Sequence, residues 1–134
     1  MVQKITVIDE AYATLWYYPE YKIVHHVYHK FIHGQPFRDV LETGLRLFEQ
    51  NGGGKWLSDD RKNSALPTED LVWSTQEWSP RCLAAGWKAW ALIMPDKVAG
   101  QLNMNRILKQ YIDAGFQVRV FDDVDEALEW LKSV

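Results

Sequence analysis

Hydrophobic and polar residues alternate along the first quarter of the chain, which is the pattern typical of β-strands. Lys4–Asp9, Tyr12–Tyr18 and Tyr21–Ile32 are three such runs, and the turn residues Pro19 and Gly34 follow the second and the third. Because the connections between these runs are short, antiparallel pairing is the simplest way to join them. The pattern therefore predicts a meander of three antiparallel strands.

The spacing of apolar residues then changes to that of helices alternating with strands. Apolar or small residues recur at i, i+3, i+4, i+7, i+8 and i+11 from Phe37 to Phe48, and Asn51 with three glycines ends this helix. Further strands are predicted at Lys55–Asp59, Lys88–Met94 and Gln117–Asp122, and further helices after Pro67, around Met104–Ile112 and after Asp123. The order βββ-α-β-α-β-α-β-α predicts one α/β domain over residues 1–134, with a mixed sheet whose second half is parallel and covered by helices.

Composition narrows the classes of protein that remain. The chain has 134 residues, 47% of them hydrophobic, and a formal net charge of −3. The hydrophobic share excludes a disordered chain, and the negative charge argues against a general binder of nucleic acid or anionic membranes. No apolar run is long enough to span a bilayer, so we expect no membrane insertion. Cys82 is the only cysteine and the first ten residues lack the apolar stretch of a signal peptide, so we expect a cytoplasmic protein.

Four short segments resemble the SpoIIAA-like proteins of the STAS/SEC14 type, in an uncharacterised bacterial subgroup. They are Lys55–Arg61 (KWLSDDR), Trp78–Arg81 (WSPR), Ala85–Trp87 (AGW) and Gly100–Met104 (GQLNM). The resemblance extends over nearly the whole chain because the order of elements also agrees. It implies a compact SpoIIAA-like or STAS-like domain with a regulatory or binding role, sometimes dimeric, and without a general catalytic role.

One regulatory feature of that family is missing from the chain. Anti-sigma-factor antagonists of this fold carry a phosphorylatable serine in an Asp-Ser-Ser-Gly stretch, where this chain has Ser58-Asp59-Asp60-Arg61-Lys62-Asn63. Acidic neighbours would also repel a phosphate placed on Ser58. We therefore do not expect the phosphorylation switch here.

The densest polar cluster follows the fourth predicted strand, where open α/β sheets commonly bind ligands. The candidate residues for binding a ligand or a partner are Ser58, Asp59, Asp60, Arg61 and Asn63, together with Lys97, Gln101 and Asn105 on the third helix. Paired carboxylates could hold a divalent cation or carry a proton in acid–base chemistry. A purely structural loop, in which the aspartates cap backbone amides, explains the same residues.

Histidines and aromatic residues crowd the first strands. His25, His29 and His33 would share a face on a helix, but on a strand four residues span ~13 Å at ~3.3 Å each, so no metal site is predicted there. We instead expect a solvent-exposed sheet face, at a contact between subunits. The candidate interface residues are Trp16, Tyr18, His25, Tyr28 and His29.

The aromatic content supports the same expectation. The chain carries seven Trp, six Tyr and five Phe. A small core cannot bury all of them, and exposed aromatic residues often mark interfaces or ligand clefts. We therefore predict a homodimer.

The resulting functional prediction is a non-catalytic regulatory or protein-interaction module, with no cofactor, no metal and no catalytic residue. A small carrier of an apolar, lipid-like ligand is the alternative, because aromatic residues could line a cleft. A small metal-dependent hydrolase that uses Asp59 and Asp60 is the third possibility.

Overall fold

The computed structural model describes residues 3–134 and shows a single mixed sheet of six strands. Met1 and Val2, which belong to the N-terminal segment that lacks the apolar stretch of a signal peptide, lie outside the described residues. The strands lie side by side in chain order and are β1 Ile5–Asp9, β2 Ala13–Tyr18, β3 Ile23–Tyr28, β4 Gly54–Asp59, β5 Trp87–Ile93 and β6 Val118–Phe121. The first three strands pair antiparallel, and β3 to β6 pair parallel. The predicted α/β class, the meander and the parallel half are therefore confirmed.

Helices connect the parallel strands and close the chain. They are α1 Gln35–Asn51, α2 Thr68–Trp73, α3 Ser79–Ala84, α4 Val98–Asp113 and α5 Val124–Ser133. A π-helical turn, Ser74–Trp78, joins α2 to α3. The regular α-helix begins again at Ser79, directly before Pro80, where a restart was expected. Asp123 caps α5 as predicted, since its carboxylate accepts the backbone N–H of Glu126 at 3.2 Å.

The connecting helices all lie on one face of the sheet. Because β3 to β6 run parallel in sequential order, crossovers of a single hand bring every connecting helix to the same side. The larger core accordingly joins Leu45 of α1, Trp78 of the π turn and Leu108 of α4 to the sheet. We call this side the first face. The second face has a smaller core, in which Leu131 of α5 packs on Leu57 and neighbouring strand residues.

The third strand is shorter than the alternation predicts. It ends at Tyr28, and residues 29–34 leave the sheet to reach α1. The backbone N–H of Ile32 donates to the Asn63 side chain at 3.1 Å, and the Ile32 side chain joins the first-face core. A tertiary hydrogen bond thus replaces the strand pairing that the local pattern suggests.

Helix α1 approaches the sheet closely at one glycine. A Cβ atom placed on Gly44 would lie 2.1 Å from the ring of Trp56, so only glycine leaves room for that indole beneath the helix. Trp56 is 1% exposed. This contact fixes the position of the indole between the helix and the sheet.

Within residues 3–134, none of the helices has the length and apolar character needed to cross a bilayer.

Candidate functional site

A cavity of about 70 Å³ lies between the first face of the sheet and the helices that cover it. Its aromatic lining is formed by Tyr28, Phe37, Trp56, Trp78, Trp87, Trp90 and Tyr111. Its polar lining includes His26, Ser58, Asp60, Asn63, Ser64, Ser74, Thr75 and Asn103. Ligand sites have this general make-up, in which apolar walls surround a few polar groups.

The polar groups lie near the carboxyl ends of the parallel strands. Tyr28 is the last residue of β3, Ser58 belongs to the end of β4, and Asp60 follows that strand directly. The backbone N–H of Asp60 donates to the carbonyl of Ile93, the last residue of β5, at 3.1 Å. Open α/β sheets bind ligands at this edge, so the cavity occupies the position that the topology favours.

His26 connects the aromatic wall to the carboxylate. The indole N–H of Trp56 donates to His26 Nδ1 at 2.8 Å, and His26 Nε2 lies 2.7 Å from Asp60 Oδ1. Because an indole can only donate, Nδ1 carries no proton, and Nε2 therefore carries the proton that is donated to Asp60. The imidazole is neutral in this arrangement. Both of its nitrogens are engaged, so it positions Asp60 and has no free nitrogen to act as a base towards a ligand.

Tyr28 brings a phenol to the same end of the cavity. Its ring packs on the His26 ring with centroids 4.3 Å apart, and the residue is 2% exposed. Burial, helped by the charge of Asp60, raises the pKa of Tyr28 well above its usual value, so the hydroxyl keeps its proton. Within residues 3–134 this hydroxyl forms no hydrogen bond with another protein group, and Tyr28 lines the cavity. It is therefore a donor available to a molecule in the cavity.

The tryptophans present their rings to the cavity and keep their N–H groups for the protein. Besides the bond from Trp56, the indole of Trp78 donates to the Leu41 carbonyl at 2.8 Å, that of Trp87 to the Ala89 carbonyl at 3.0 Å, and that of Trp90 to Ser58 Oγ at 2.9 Å. Adjacent rings of the four contact each other with centroids 5.4 to 5.9 Å apart. A molecule in the cavity therefore meets aromatic carbon and no free indole N–H.

The predicted polar cluster divides between the two faces of the sheet. Ser58, Asp60 and Asn63 line the cavity. Asp59 instead pairs with Arg61, whose Nε and Nη2 donate to its two carboxylate oxygens at 2.9 and 2.7 Å. Since successive strand residues face opposite sides, the two aspartates do not form the paired carboxylates that a hydrolase or cation site would use.

The three candidates predicted for the third helix lie outside the cavity lining. Lys97 is exposed and precedes the helix, and Asn105 is exposed. Gln101 donates its side-chain amide to the Pro95 carbonyl at 3.0 Å, which secures the start of the helix. The amide that reaches the cavity is Asn103, whose Oδ1 also accepts the backbone N–H of Leu66 at 3.2 Å.

The candidate interface residues are mostly covered within the chain. His25 is 5% exposed and its Nδ1 shares a 3.1 Å hydrogen bond with the Tyr18 hydroxyl, while Trp16 packs beside it with ring centroids 4.7 Å apart. The expectation of a solvent-exposed sheet face is therefore wrong for His25. Tyr28 lies in the cavity, and His29 is exposed and shares a 2.7 Å hydrogen bond with Thr14.

His26, Tyr28 and the four cavity tryptophans are the site residues that sequence reasoning did not group together. Period-two alternation does place His26 and Tyr28 on one face, and that signal was present in the chain. Their meeting with Trp56 and Asp60 depends on the pairing of β3 with β4, in which His26 lies opposite Ser58. The spacing of residues along one strand does not predict which residues of the neighbouring strand lie opposite them.

The chain offers few other groups for chemistry. Within residues 3–134, no three His, Cys, Asp or Glu side chains are arranged to hold a metal ion. Cys82 is fully buried, and burial raises the pKa of its thiol far above the usual value, so it is an unreactive core residue.

Comparison of the chain with protein-family models, with curated proteins and with solved structures finds no match. The resemblance to SpoIIAA-like proteins therefore stays a prediction. Fold and cavity together define a class, an α/β protein with an internal aromatic cavity at the carboxyl edge of its sheet.

Proposed function

We propose that the protein binds a small, mainly apolar molecule in the aromatic cavity. The observation that carries this proposal is the combination of a cavity of about 70 Å³ with two polar groups of lining residues that have unused hydrogen-bonding capacity. These groups are the Tyr28 hydroxyl and Asp60 Oδ2, neither of which forms a hydrogen bond with another protein group within residues 3–134. A bound molecule could form hydrogen bonds with both groups while its apolar part contacts the aromatic walls.

The rim of the cavity supports the same function. Ser64, Leu66, Ser74, Thr75, Asn103 and Met104 line it and are only half-buried. Ser74 and Thr75 belong to the π-helical turn, a feature that often occurs at functional sites. A small molecule can therefore enter between this turn, the loop after β4 and the start of α4.

The test fills the cavity from its rim. Ser74 lines the cavity and donates its hydroxyl to the Leu71 carbonyl three residues earlier, and Ser133 on α5 makes the same bond to Trp130 far from the cavity. Ser74→Leu should therefore block binding, while Ser133→Leu should not. Three probes that share a tert-butyl group are used, namely tert-butylammonium, tert-butanol and trimethylacetate.

Binding is followed by the NMR signals of the seven indole N–H groups. We expect at least one probe to shift the signals of Trp56, Trp78, Trp87 and Trp90, which line the cavity, and to leave those of Trp16, Trp73 and Trp130 in place. The shifts should disappear in Ser74→Leu and persist in Ser133→Leu. If no probe shifts the cavity signals and native mass spectrometry finds no retained molecule, the proposed function is wrong.

A role as a protein-interaction module, with a homodimer, stays a prediction beside this one. The edge strand β1 is the surface that favours it, because Ile5 and Val7 are 41% and 39% exposed. An uncovered strand edge with apolar side chains can pair with a second chain.

A further inference from the structure

We propose that the cavity selects a small alkylammonium cation over neutral or anionic molecules of the same shape; this rests on the proposed function and specifies its ligand class. Asp60 is the group that favours a cation. Its carboxylate is buried, and its protein partner is the neutral imidazole of His26. A buried carboxylate without a compensating positive charge is costly, and a bound cation would remove that cost.

Two other buried aspartates show how the chain compensates such charges elsewhere. Asp59 pairs with Arg61 at 2.7 Å, and Asp70 pairs with Arg38 at 3.3 Å. Each of them therefore has a guanidinium within the protein. Asp60 differs from both because its partner is a histidine and because it faces the cavity. Among the described residues, 3–134, the cavity lining contains no Lys or Arg. A cationic ligand would therefore supply the positive charge that Asp60 does not receive from the protein.

The walls of the cavity favour the same ligand. Trp56, Trp78, Trp87 and Trp90 use their N–H groups within the protein, so their rings line the space. The face of an aromatic ring carries negative charge and attracts cations, and indole does so best among the side chains. Methyl groups on an ammonium ion would contact these rings while its charge remains close to Asp60.

The remaining polar groups of the cavity allow a neutral ligand but do not favour an anion. The Tyr28 hydroxyl and the side-chain amides of Asn63 and Asn103 can donate hydrogen bonds to a neutral alcohol, but none carries a positive charge. An anion would therefore lie near the Asp60 carboxylate in a space of low dielectric, where like charges repel strongly. A cavity of about 70 Å³ also restricts the ligand to a few heavy atoms, since roughly 150 Å³ is known to hold benzene.

The experiment compares the affinities of the three tert-butyl probes, which differ mainly in charge. We expect tert-butylammonium to bind at least about tenfold more tightly than tert-butanol, which corresponds to roughly 1.4 kcal/mol. Trimethylacetate should bind more weakly than either. The readout is the shift of the Trp56 and Trp90 indole signals at neutral pH, where the amine is protonated.

A charge-removing variant tests whether Asp60 is responsible. Asp60→Asn keeps an oxygen that can accept from His26 Nε2 and loses the charge, so the preference for tert-butylammonium over tert-butanol should fall to about twofold or less. Asp96→Asn is the matched control, because it removes the same charge from an exposed residue next to the cavity-lining Pro95. The control should keep the preference of the unaltered protein.

The outcomes separate this inference from the proposed function. If tert-butanol or trimethylacetate binds as tightly as the cation, the inference is wrong and ligand binding stands. An unchanged preference in Asp60→Asn also overturns it, provided that tert-butanol still binds and shows that the variant is folded. If Asp60→Asn binds no probe, the preference for tert-butylammonium over tert-butanol is measured in a second variant, His26→Gln, which keeps the charge of Asp60. Loss of cation preference in His26→Gln would then overturn the inference, and its retention would support it.

Discussion

Two neighbouring aspartates lie on opposite faces of the sheet, and only one of them is paired with a positively charged side chain. Asp59 points to the second face and receives two hydrogen bonds from Arg61. Asp60 points to the first face and receives one from a histidine that Trp56 keeps neutral. The two residues share burial and sequence context, and they differ in whether the protein neutralises their charge. That difference separates a structural carboxylate from one that is available to a ligand.

The same contrast extends to the histidines of β3. His25 on the second face shares a hydrogen bond with the Tyr18 hydroxyl and packs beside Trp16. His26 on the first face has both nitrogens engaged and borders the cavity. The second face thus uses its polar groups to complete a core covered by α5. On the first face, polar groups remain available within the cavity.

The largest expected effect is a loss of stability when a side chain of the second-face core is removed. Leu131→Ala removes a fully buried side chain of α5 from the second-face core and should lower the free energy of unfolding by about 2–5 kcal/mol. Urea denaturation measures this loss. Leu83→Ala is the control, because Leu83 is 45% exposed and should change stability by less than about 1 kcal/mol. Equal losses in both variants would contradict the assigned role of α5.

The next effect is a pH dependence that originates on the second face. Burial, with a smaller contribution from His26, lowers the pKa of His25 from 6.5 to about 3. Lys4 lowers it further, whereas Asp59 acts in the opposite direction. The unfolded chain therefore binds a proton below pH 6.5 that the folded chain does not bind until about pH 3. Stability from this residue is complete above pH 6.5 and decreases as the pH falls, by up to about 1.4 kcal/mol per pH unit.

Denaturation at pH 7, 6 and 5 tests this dependence. His25→Gln removes the titrating group and should show a flatter loss of stability than the unaltered protein. His33→Gln removes an exposed histidine and should follow the unaltered protein. The assignment to His25 fails if the two variants have the same pH profile.

The smallest effect concerns the first face and the protonation of His26. Trp56→Phe keeps a ring at this position and deletes the N–H that donates to His26 Nδ1; the lost hydrogen bond alone costs about 1 kcal/mol in stability. Trp78→Phe deletes the N–H that donates to the Leu41 carbonyl, at a similar cost. Nitrogen-15 NMR of the imidazole should show an unprotonated Nδ1 in the unaltered protein and in Trp78→Phe. Only Trp56→Phe should change the His26 signals, and a signal that stays the same in that variant would contradict the bond.

Most of the fold could be predicted because it depends on local periodicity. Alternation marks β2 from Ala13, the i, i+3, i+4 spacing marks α1, and Asp123 shows where α5 begins. The site could be predicted in part, since the polar residues after β4 include Ser58, Asp60 and Asn63 of the cavity. The partners of those residues could not, because they are brought together by contacts between distant segments.

The sequence by itself determined the elements, their order and the polar loop at the end of β4, because each depends on residues close together in the chain. Tertiary structure decided which aspartate is neutralised and which histidine borders the cavity. The register of β3 on β4 places His26 opposite Ser58 and brings it within reach of Trp56 and Asp60. A shift by one residue would present His25 to the first face in its place, since strand side chains alternate sides.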